Sequence, residues 1–437
     1  MRSTRDGRRP ALGPEVRDVV LARLISSTGA EGAFFLGLWG KAAYAFDGTP
    51  GELALMSALV ALGAMAGSVI GGVAVDRFDA RRVVLAAEGV FVPATLLLIV
   101  ARDMPTLLAF GIVSWLAGAV LETAIVSLPP VLTTPERLEQ ANARLESANW
   151  TALIIGPAVA APLVTAFGVD SVFLFDALTS VVALALIARI HLPEREESPT
   201  AGGREHASSL RQTLDGLAYA VGSPPIRLAL YLGALIEVAF GMFVALEPLF
   251  FRDVVGVGVE AIGYVNAVFG AGLLAGSLGL ERLAGRWSGF RTLTGLVGLS
   301  GIGGVLYVAT PSLVTVLIGA VVWSVPLGAA LPLVRTLAQQ HADPAYTGRV
   351  MGAIGMVASG LAIMPLVVAP ALAAALGVQG VLMASASIAL IGAPWVLGRA
   401  ARLDRDRPAG VPHEPHPPVA APSPKGMPSP TPDLDPT

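Results

Sequence analysis

The organisation of this chain is clearest around one short charged segment, Gly71-Gly72-Val73-Ala74-Val75-Asp76-Arg77-Phe78-Asp79-Ala80-Arg81-Arg82. The segment lies between two long apolar runs, residues 53–70 and 83–101, which are nearly free of charge. An apolar run of about 20 residues can cross a bilayer as an α-helix. The charged segment is therefore predicted to be a short loop at one membrane face.

The residue types in this loop indicate how it packs against neighbouring helices and on which side of the membrane it lies. Gly67, Gly71 and Gly72 are expected to let neighbouring helix backbones approach closely, as small residues do in lipid. Asp76 can accept hydrogen bonds from backbone N–H groups at a neighbouring helix end. Arg77, Arg81 and Arg82 are expected to keep the loop in the cytoplasm, because loops on that side carry an excess of basic residues.

A glycine, an Asp-Arg pair and paired arginines in this order resemble the signature loop between helices 2 and 3 of the major facilitator superfamily. The resemblance implies an all-α polytopic membrane protein with two parallel six-helix halves. It also implies that the loop takes part in the conformational change of a transporter. An ordinary positive-inside loop would explain the arginines, but not an aspartate at this spacing after glycine.

The composition of the whole chain agrees with a membrane protein. Of its 437 residues, 54% are hydrophobic and 14% are charged, and the mean hydropathy is +0.69. About twelve apolar runs of spanning length fit between residues 17 and 398. The basic residues are concentrated in alternate predicted loops, so both termini are expected in the cytoplasm.

Residue content also argues against several kinds of chemistry. Cysteine is absent, which excludes disulfides, thiol catalysis and thiolate metal sites. The five histidines fall in predicted loops or tails, so no imidazole is expected inside a span as a metal ligand. A phosphate-binding Gly-Lys-Ser/Thr sequence does not occur. We therefore expect no enzyme active site, no cofactor, no metal and no nucleic-acid partner.

A polar stretch near the middle divides the chain into two parts of similar length. Residues 191–225 are predicted to form a flexible linker followed by an interfacial helix. The chain beyond residue 398 is rich in proline without apolar periodicity, which predicts disorder. The expected units are a cytoplasmic segment 1–18, a six-helix half 19–190, the linker 191–225, a six-helix half 226–398 and a tail 399–437.

The two halves look like repeats of each other. Residues 31–34 (EGAF) in the first predicted helix are followed by Lys41, and residues 237–240 (EVAF) in the seventh are followed at the same offset by Glu247. Parallel internal repeats of this kind are an architecture of secondary transporters. The repeat therefore supports two parallel six-helix halves.

Three glutamates are candidates for a transport site. In the superfamily, helices 1, 4, 7 and 10 line the cavity, and Glu31, Glu122 and Glu237 fall on three of them. An ionisable group at bilayer depth costs roughly 3 kcal/mol or more, so it usually faces a cavity or a partner. We interpret these glutamates as sites for proton coupling or for a cationic substrate. The alternative is a protonated glutamate hydrogen-bonded to a neighbouring helix. Glu88 and Asp176, on supporting helices, are interpreted as structural.

A second hypothesis concerns the outer ends of the first and seventh helices. Lys41 lies near one of these ends and Glu247 near the other. Because such ends approach when a transporter of this family closes to the outside, the two residues could pair as an outer gate. Snorkelling of the lysine to the lipid headgroups is the alternative.

The segments LEQANA (138–143), IGPAVAA (155–161) and FDA (175–177), with Gly348-Arg349 before helix 11, resemble one exporter branch of the superfamily. This branch includes enterobactin exporters and macrolide or multidrug efflux pumps. Its members are single-chain secondary transporters driven by the proton gradient. Gly156-Pro157 stands at the helix 5 Gly-Pro motif of proton antiporters, whereas the fourth helix lacks the arginine that many of them carry.

The resemblance implies export of a small amphipathic molecule, such as a drug, a macrolide or a siderophore-like compound, by proton antiport with alternating access. The expected partners are this substrate, protons and the lipid bilayer, and the expected state is a monomer. Scarce lysine with abundant alanine, glycine and arginine points to a GC-rich bacterial source, and hence to the inner membrane. An importer or facilitator of a small nutrient and a transport-inactive sensor are the alternatives.

Overall fold

The computed structural model describes residues 13–190, 215–283, 289–343 and 346–405, and the regular elements in these ranges are helices. The first half contains six long helices: α1 Pro14–Ala45, α2 Pro50–Arg77, α3 Ala80–Val100, α4 Met104–Val126, α5 Pro135–Phe167 and α6 Ser171–Ala188. The second half begins with α7 Pro224–Val255, α8 Glu260–Leu283, α9 Phe290–Val308 and α10 Leu313–His341.

The last two spans form one continuous helical segment, Thr347–Trp395, which is broken at Gly377. Gly377 has φ +71°, a left-handed conformation that glycine adopts without steric cost. A straight helix of 49 residues would be about 74 Å long, far more than the roughly 30 Å of a bilayer core. We therefore describe two spans, α11 (347–376) and α12 (378–395). Among the described residues, eleven helical segments meet the length and hydropathy expected of a membrane span, and the predicted all-α fold is confirmed.

Two of the sequence-based boundaries differ from the helices. The first helix begins at Pro14, inside the predicted segment 1–18, because proline is well suited to the first turn of a helix. A further helix, α13, covers Leu397–Arg405 and therefore includes the start of the predicted tail. Asp404 of α13 accepts hydrogen bonds from the backbone N–H groups of Phe290 (2.8 Å) and Arg291 (2.9 Å), which caps α9. Most of the predicted linker (191–214) and the tail from residue 406 lie outside the described residues.

Within each half, small residues bring neighbouring helix backbones together. Gly71 of α2 lies against Thr123 of α4, where an added Cβ would be 2.9 Å from the threonine Cβ, whereas the adjacent Gly72 has open space around it. In the second half, Gly303 and Gly319 place α9 and α10 in direct backbone contact. Such close approach maximises van der Waals contact, which drives helix association in lipid, where the hydrophobic effect between helices is lost.

The signature loop is as short as predicted, since Phe78 and Asp79 alone separate α2 from α3. Its capping residue differs from the expectation. Asp79, not Asp76, accepts the cap hydrogen bond from the Arg81 N–H at 2.7 Å, because α2 extends through Asp76 to Arg77. Asp76, Arg77 and Arg82 are exposed.

Arg81 has a structural role at the end of α6. Its guanidinium donates hydrogen bonds to the carbonyl oxygens of Ile187 (3.2 Å) and Ala188 (2.6 Å). These carbonyls belong to the last turn of a helix, where a cation is favoured by the helix dipole and by the free acceptors. The loop therefore ties the start of α3 to the end of α6.

Candidate functional site

A cavity of about 390 Å³ lies inside the first half, within the size range of small-molecule sites. We call the membrane face where α1 begins the terminal face and the opposite one the distal face. All six helices of the first half contribute to the cavity, and α1 and α4 contribute most of its wall. The polar lining side chains are Arg23, Ser26, Ser27, Glu31, Ser68, Thr95, Ser114, Glu122, Asn149 and Asp176.

An ion pair between α1 and α4 is the central polar feature of this cavity. Arg23 donates to both carboxylate oxygens of Glu122, with Nη2–Oε1 at 2.8 Å, and to the Asn149 side-chain oxygen at 2.9 Å. The Arg23 side chain is 13% exposed, and that of Glu122 is 46% exposed. A two-pronged Arg–carboxylate pair fixes both side chains in orientation as well as in charge.

Sequence reasoning missed Arg23, although a signal was present. Arg23, Ser27 and Glu31 are spaced by four residues, which places them on one face of a helix. The fourth helix has no arginine, but the first helix supplies the intramembrane guanidinium at the same cavity. Two of the three predicted glutamates, Glu31 and Glu122, therefore lie in one cavity with a cation between helices.

The position of Glu31 depends on close packing between α1 and α5. A Cβ added to Gly156 would lie 2.8 Å from the Glu31 Cβ and 2.8 Å from the Thr28 carbonyl oxygen. A Cβ added to Gly32 would be equally close, 2.8 Å, to the Ala160 methyl group. The predicted Gly156-Pro157 motif thus lies where α1 and α5 cross. Any larger side chain at Gly156 would displace Glu31 from the cavity wall.

The cavity becomes aromatic towards the distal face. Phe34 packs edge-on against Trp115 with 4.9 Å between ring centroids, and against Trp39 at 4.3 Å. Arg23 and Leu38, which lie at opposite ends of the α1 contribution to the wall, are separated by about 22 Å along the helix. The cavity therefore offers charge at one end and aromatic surface at the other.

Glu237, the third predicted glutamate, does not join this cavity. It lies on α7 in the second half, where Arg335 of α10 is a neighbouring charge. Two small cavities next to other residues of α7 measure about 10 and 20 Å³, and Glu237 lines neither of them. Trp323 contacts Phe240, Phe243, Phe269 and Tyr307 at centroid distances of 4.6–6.0 Å.

The predicted pair of Lys41 and Glu247 is not formed. The Lys41 ammonium donates to the carbonyl oxygens of Leu98 (2.8 Å) and Ile99 (3.0 Å) and to Asp170 at 2.7 Å. These three bonds use all three of its hydrogens, so none remains for a glutamate. Glu247 instead accepts a hydrogen bond from the Tyr307 hydroxyl. The snorkelling alternative also fails, because Lys41 is 4% exposed.

Other residues join the two halves at the distal face. Arg252 at the end of α7 donates to the Ala43 carbonyl oxygen at the end of α1. The Tyr44 hydroxyl donates to the Val257 carbonyl oxygen at 3.0 Å. The ends of α1 and α7 therefore do approach each other, as the gate hypothesis requires, but the contacts use backbone acceptors that sequence patterns do not reveal.

Gly348 and Arg349 lie at the start of α11 beside the short helix 215–222. The Arg349 guanidinium carbon lies 5.1 Å from the centroid of the Tyr346 ring. That ring in turn stacks on Tyr219 at 4.6 Å. Gly216 packs directly against the Arg349 backbone. This motif therefore anchors the described part of the linker to the second half.

Comparison with solved structures supports the architecture. The chain is similar to a bacterial homologue of the human lysosomal transporter Spinster, in an inward-facing and unoccupied conformation, with a TM-score of 0.66 and 15% identity over 91% of this chain and 98% of that one. It is also similar to a POT family transporter in complex with 5-aminolevulinic acid, with a TM-score of 0.68 and 12% identity over 89% and 96% of the two chains. At these identities the likeness concerns the fold alone.

Comparison with characterised sequences points to efflux proteins. Macrolide efflux protein A of Streptococcus pyogenes is 24% identical over 324 residues, which cover 71% of this chain and 78% of the relative. The enterobactin exporter EntS of Shigella boydii is 28% identical over 289 residues, or 62% and 64% of the two chains. The sequence profile of the Major Facilitator Superfamily matches residues 19–365. The chain therefore belongs to the major facilitator superfamily of membrane transporters.

Proposed function

We propose that this protein is a secondary active transporter that exports small amphipathic molecules across the bacterial inner membrane by proton antiport with alternating access. Both termini then lie in the cytoplasm, as the arginine distribution predicts, and the terminal face is the cytoplasmic one. The working unit is a monomer. The names of the macrolide and enterobactin relatives suggest a drug, macrolide or siderophore-like substrate.

The cavity of the first half carries this proposal. It places the Arg23–Glu122 ion pair at one end, the rings of Phe34 and Trp115 towards the other end, and Glu31 in the wall between them. An amphipathic molecule would bind its apolar part to the aromatic wall and its polar part to the charged end. Glu122 is accessible in its ion pair, so it can accept a proton without unfolding of the surrounding helices.

Coupling would follow from competition for the carboxylates. When Glu31 and Glu122 are ionised, their two negative charges exceed the one positive charge of Arg23, so the cavity favours a cationic group of the substrate. A proton on Glu122 removes one of these negative charges and weakens the binding of that group. Proton and cationic substrate would then exclude each other from one site, which is what antiport requires.

Alternating access would use the contacts at the distal face. In the present conformation Arg252 and Tyr44 connect the ends of α7 and α1. Export requires these two bonds to break so that the cavity opens to the distal side. Both acceptors are backbone carbonyls, so the contacts can re-form without a change of protonation.

The experiment measures transport of lipophilic cations, macrolides and siderophores in inverted vesicles, with and without an imposed proton gradient. We expect accumulation that collapses when an uncoupler is added. Glu122→Gln and Glu31→Gln should abolish gradient-driven accumulation, and Glu237→Gln should test the remaining predicted carboxylate. Glu146→Gln is the control, because Glu146 is exposed on α5 and outside the cavity lining.

Full activity in all three glutamine variants would contradict proton coupling through these residues. Flux that does not respond to the gradient would favour a facilitator or an importer of a small nutrient. Ligand binding without flux would indicate a transport-inactive sensor.

A further inference from the structure

Two carboxyl groups outside the Arg23–Glu122 pair are buried on neighbouring helices of the first half. Glu88 of α3 is 1% exposed and Asp176 of α6 is 3% exposed. The two side chains interact electrostatically across the α3–α6 contact. On the side of α1, Gly29 packs directly against Asp176 and Thr179, which closes this region from lipid.

Neither carboxyl group is neutralised by a cation. Among the residues that the structure describes, no lysine or arginine forms an ion pair with Glu88 or Asp176. One oxygen of each, Oε2 of Glu88 and Oδ1 of Asp176, is buried without a hydrogen-bond partner. Both side chains are more than nine-tenths buried, and a buried acceptor oxygen normally has a hydrogen-bond donor or a cation as its partner.

The charged groups on the neighbouring helices are engaged elsewhere. Helix α1 contributes Arg23 and Glu31 to the same cavity, and α4 contributes Glu122. Arg23 is held by Glu122 and Asn149. Among the described side chains that line this cavity, no cation is therefore left to neutralise Glu88 or Asp176.

We propose that Glu88 and Asp176 form a buried proton-binding pair that exchanges its proton with the cavity through the hydroxyl groups of Ser180 and Ser26. Two ionised carboxylates side by side in a protein interior repel each other and each loses its hydration. A proton on one of the two carboxyl groups removes one of the charges and converts one acceptor oxygen into a donor.

The path to the cavity is a short chain of hydroxyl groups. Ser180 lies within hydrogen-bonding reach of Glu88, and its hydroxyl is 3.4 Å from that of Ser26. Ser26 and Asp176 both line the cavity. A proton from the Glu88 carboxyl passes to the Ser180 oxygen while the Ser180 hydroxyl proton passes to Ser26. Ser26 then releases a proton to cavity water, and the pair is left with one proton fewer.

This pair is distinct from the carboxylates of the proposed transport site, and its existence does not depend on the direction or driving force of transport. It would give the first half a second titratable site, on α3 and α6, next to the cavity but outside the Arg23 ion pair. The test can therefore be made on the resting protein, without substrate or gradient.

The experiment is infrared difference spectroscopy of the purified full-length protein, which detects the C=O stretch of protonated carboxyl groups and its shift on transfer from H₂O to D₂O. We expect a buried protonated-carboxyl band at neutral pH that is lost or shifted in both Glu88→Gln and Asp176→Asn. Glu146→Gln, on the exposed side of α5, should leave the band unchanged. Glu31→Gln separates this pair from the carboxylate of the proposed transport site and should leave in place the part of the band that is lost in Glu88→Gln and Asp176→Asn.

Ser180→Ala tests the relay separately. It should keep the band but slow its exchange with D₂O, because the carboxyl pair remains while its hydroxyl connection is removed. If a glutamine or asparagine variant does not fold, Glu88→Asp and Asp176→Glu keep an ionisable group and should shift the band rather than abolish it.

Two results would overturn the proposal. One is a protonated-carboxyl spectrum that is the same in wild type, Glu88→Gln and Asp176→Asn. The other is loss of the wild-type band on titration with Na⁺ or K⁺ alone at constant pH, which would assign the site to a metal cation instead of a proton.

Discussion

The two six-helix halves place equivalent helices in very different surroundings. In the first half, α1 turns Arg23 and Glu31 towards a cavity of about 390 Å³. In the second half, α7 turns Phe240 and Phe243 towards Trp323, and the cavities there are about 10 and 20 Å³. The first half thus encloses the larger cavity, whereas aromatic side chains pack closely at the corresponding helix of the second half. An internal repeat preserves the path of the chain without preserving the chemistry of its helix faces.

The paired positions of the repeat make the same point. Glu31 lies in the cavity wall, whereas Glu237 lies outside it. Lys41 donates all three of its ammonium hydrogens, to two carbonyl oxygens and to Asp170, whereas Glu247 accepts a hydrogen bond from the Tyr307 hydroxyl. Residues at matching offsets therefore cannot be assumed to face each other or to share a role.

The largest expected effect is a difference in stability between removal of Trp323 in the second half and removal of Trp115 in the first half. Trp323→Ala should lower the free energy of unfolding by about 3–5 kcal/mol, because Trp323 is packed on several sides by other rings and its removal leaves a void. Trp115→Ala should cost less, about 1–2 kcal/mol, because Trp115 already borders the cavity. Unfolding in bicelles or detergent measures both.

Substrate binding should show the opposite order. Trp115→Ala removes cavity wall and should weaken binding, whereas Trp323→Ala should leave affinity unchanged in the protein that remains folded. Equal loss of stability in the two variants would show that the halves do not differ in packing.

The second prediction concerns the charged residues of the repeat. Lys41→Met should lower stability by about 1–3 kcal/mol, because two carbonyl oxygens lose their charged donor, while Asp170 is 47% exposed and can be solvated. Glu247→Gln should cost less than about 1 kcal/mol, since the amide oxygen still accepts the Tyr307 hydrogen bond. Thermal unfolding of both variants checks the difference. A greater loss in Glu247→Gln would contradict the assigned partners.

The smallest expected effect concerns the start of α4 and α10. Asp103 caps α4 by accepting hydrogen bonds from the Thr106 N–H at 2.8 Å and hydroxyl at 2.6 Å, whereas Ser312 at the start of α10 makes no side-chain cap bond. The two Thr106 hydrogen bonds, the hydroxyl first, lower the pKa of Asp103. Because its folded pKa is depressed, the cap stabilises the protein above the unfolded pKa of about 4 and is lost as the pH falls through the folded value.

Melting temperatures of Asp103→Asn and Ser312→Ala across this pH range test the assignment. Asp103→Asn should keep the cap but lose its acid dependence, and Ser312→Ala should match wild type at every pH. An acid-dependent change in Ser312→Ala would show that the two helix starts are capped alike.

Much of the fold follows from the sequence because spans are read from local composition. The two-residue turn at Phe78-Asp79 and the divide near the middle of the chain depend on neighbouring residues alone. Helix ends do not follow from local composition in the same way: the sequence favours Asp76 as the capping residue, whereas Asp79 makes the cap hydrogen bond. The choice between them depends on where α2 stops.

The site was predicted only in part. Glu31 and Glu122 could be named because charge in a span is conspicuous. The sequence does not reveal Arg23 as the ion-pair partner of Glu122, and it gives Glu88 and Asp176 only a structural role. Arg23 and Glu122 are 99 residues apart, so no local pattern joins them.

The sequence alone determined that this chain crosses a membrane many times as two parallel sets of helices, because apolar length and charge distribution act through the bilayer one segment at a time. Only the tertiary structure decided which charges meet: Arg23 with Glu122, Lys41 with Asp170, and Glu88 beside Asp176. The physical reason is that the partner of a side chain depends on the rotation and crossing point of each helix. Both are set by close contacts, such as that of Gly156 with α1, which form only when all the helices pack together.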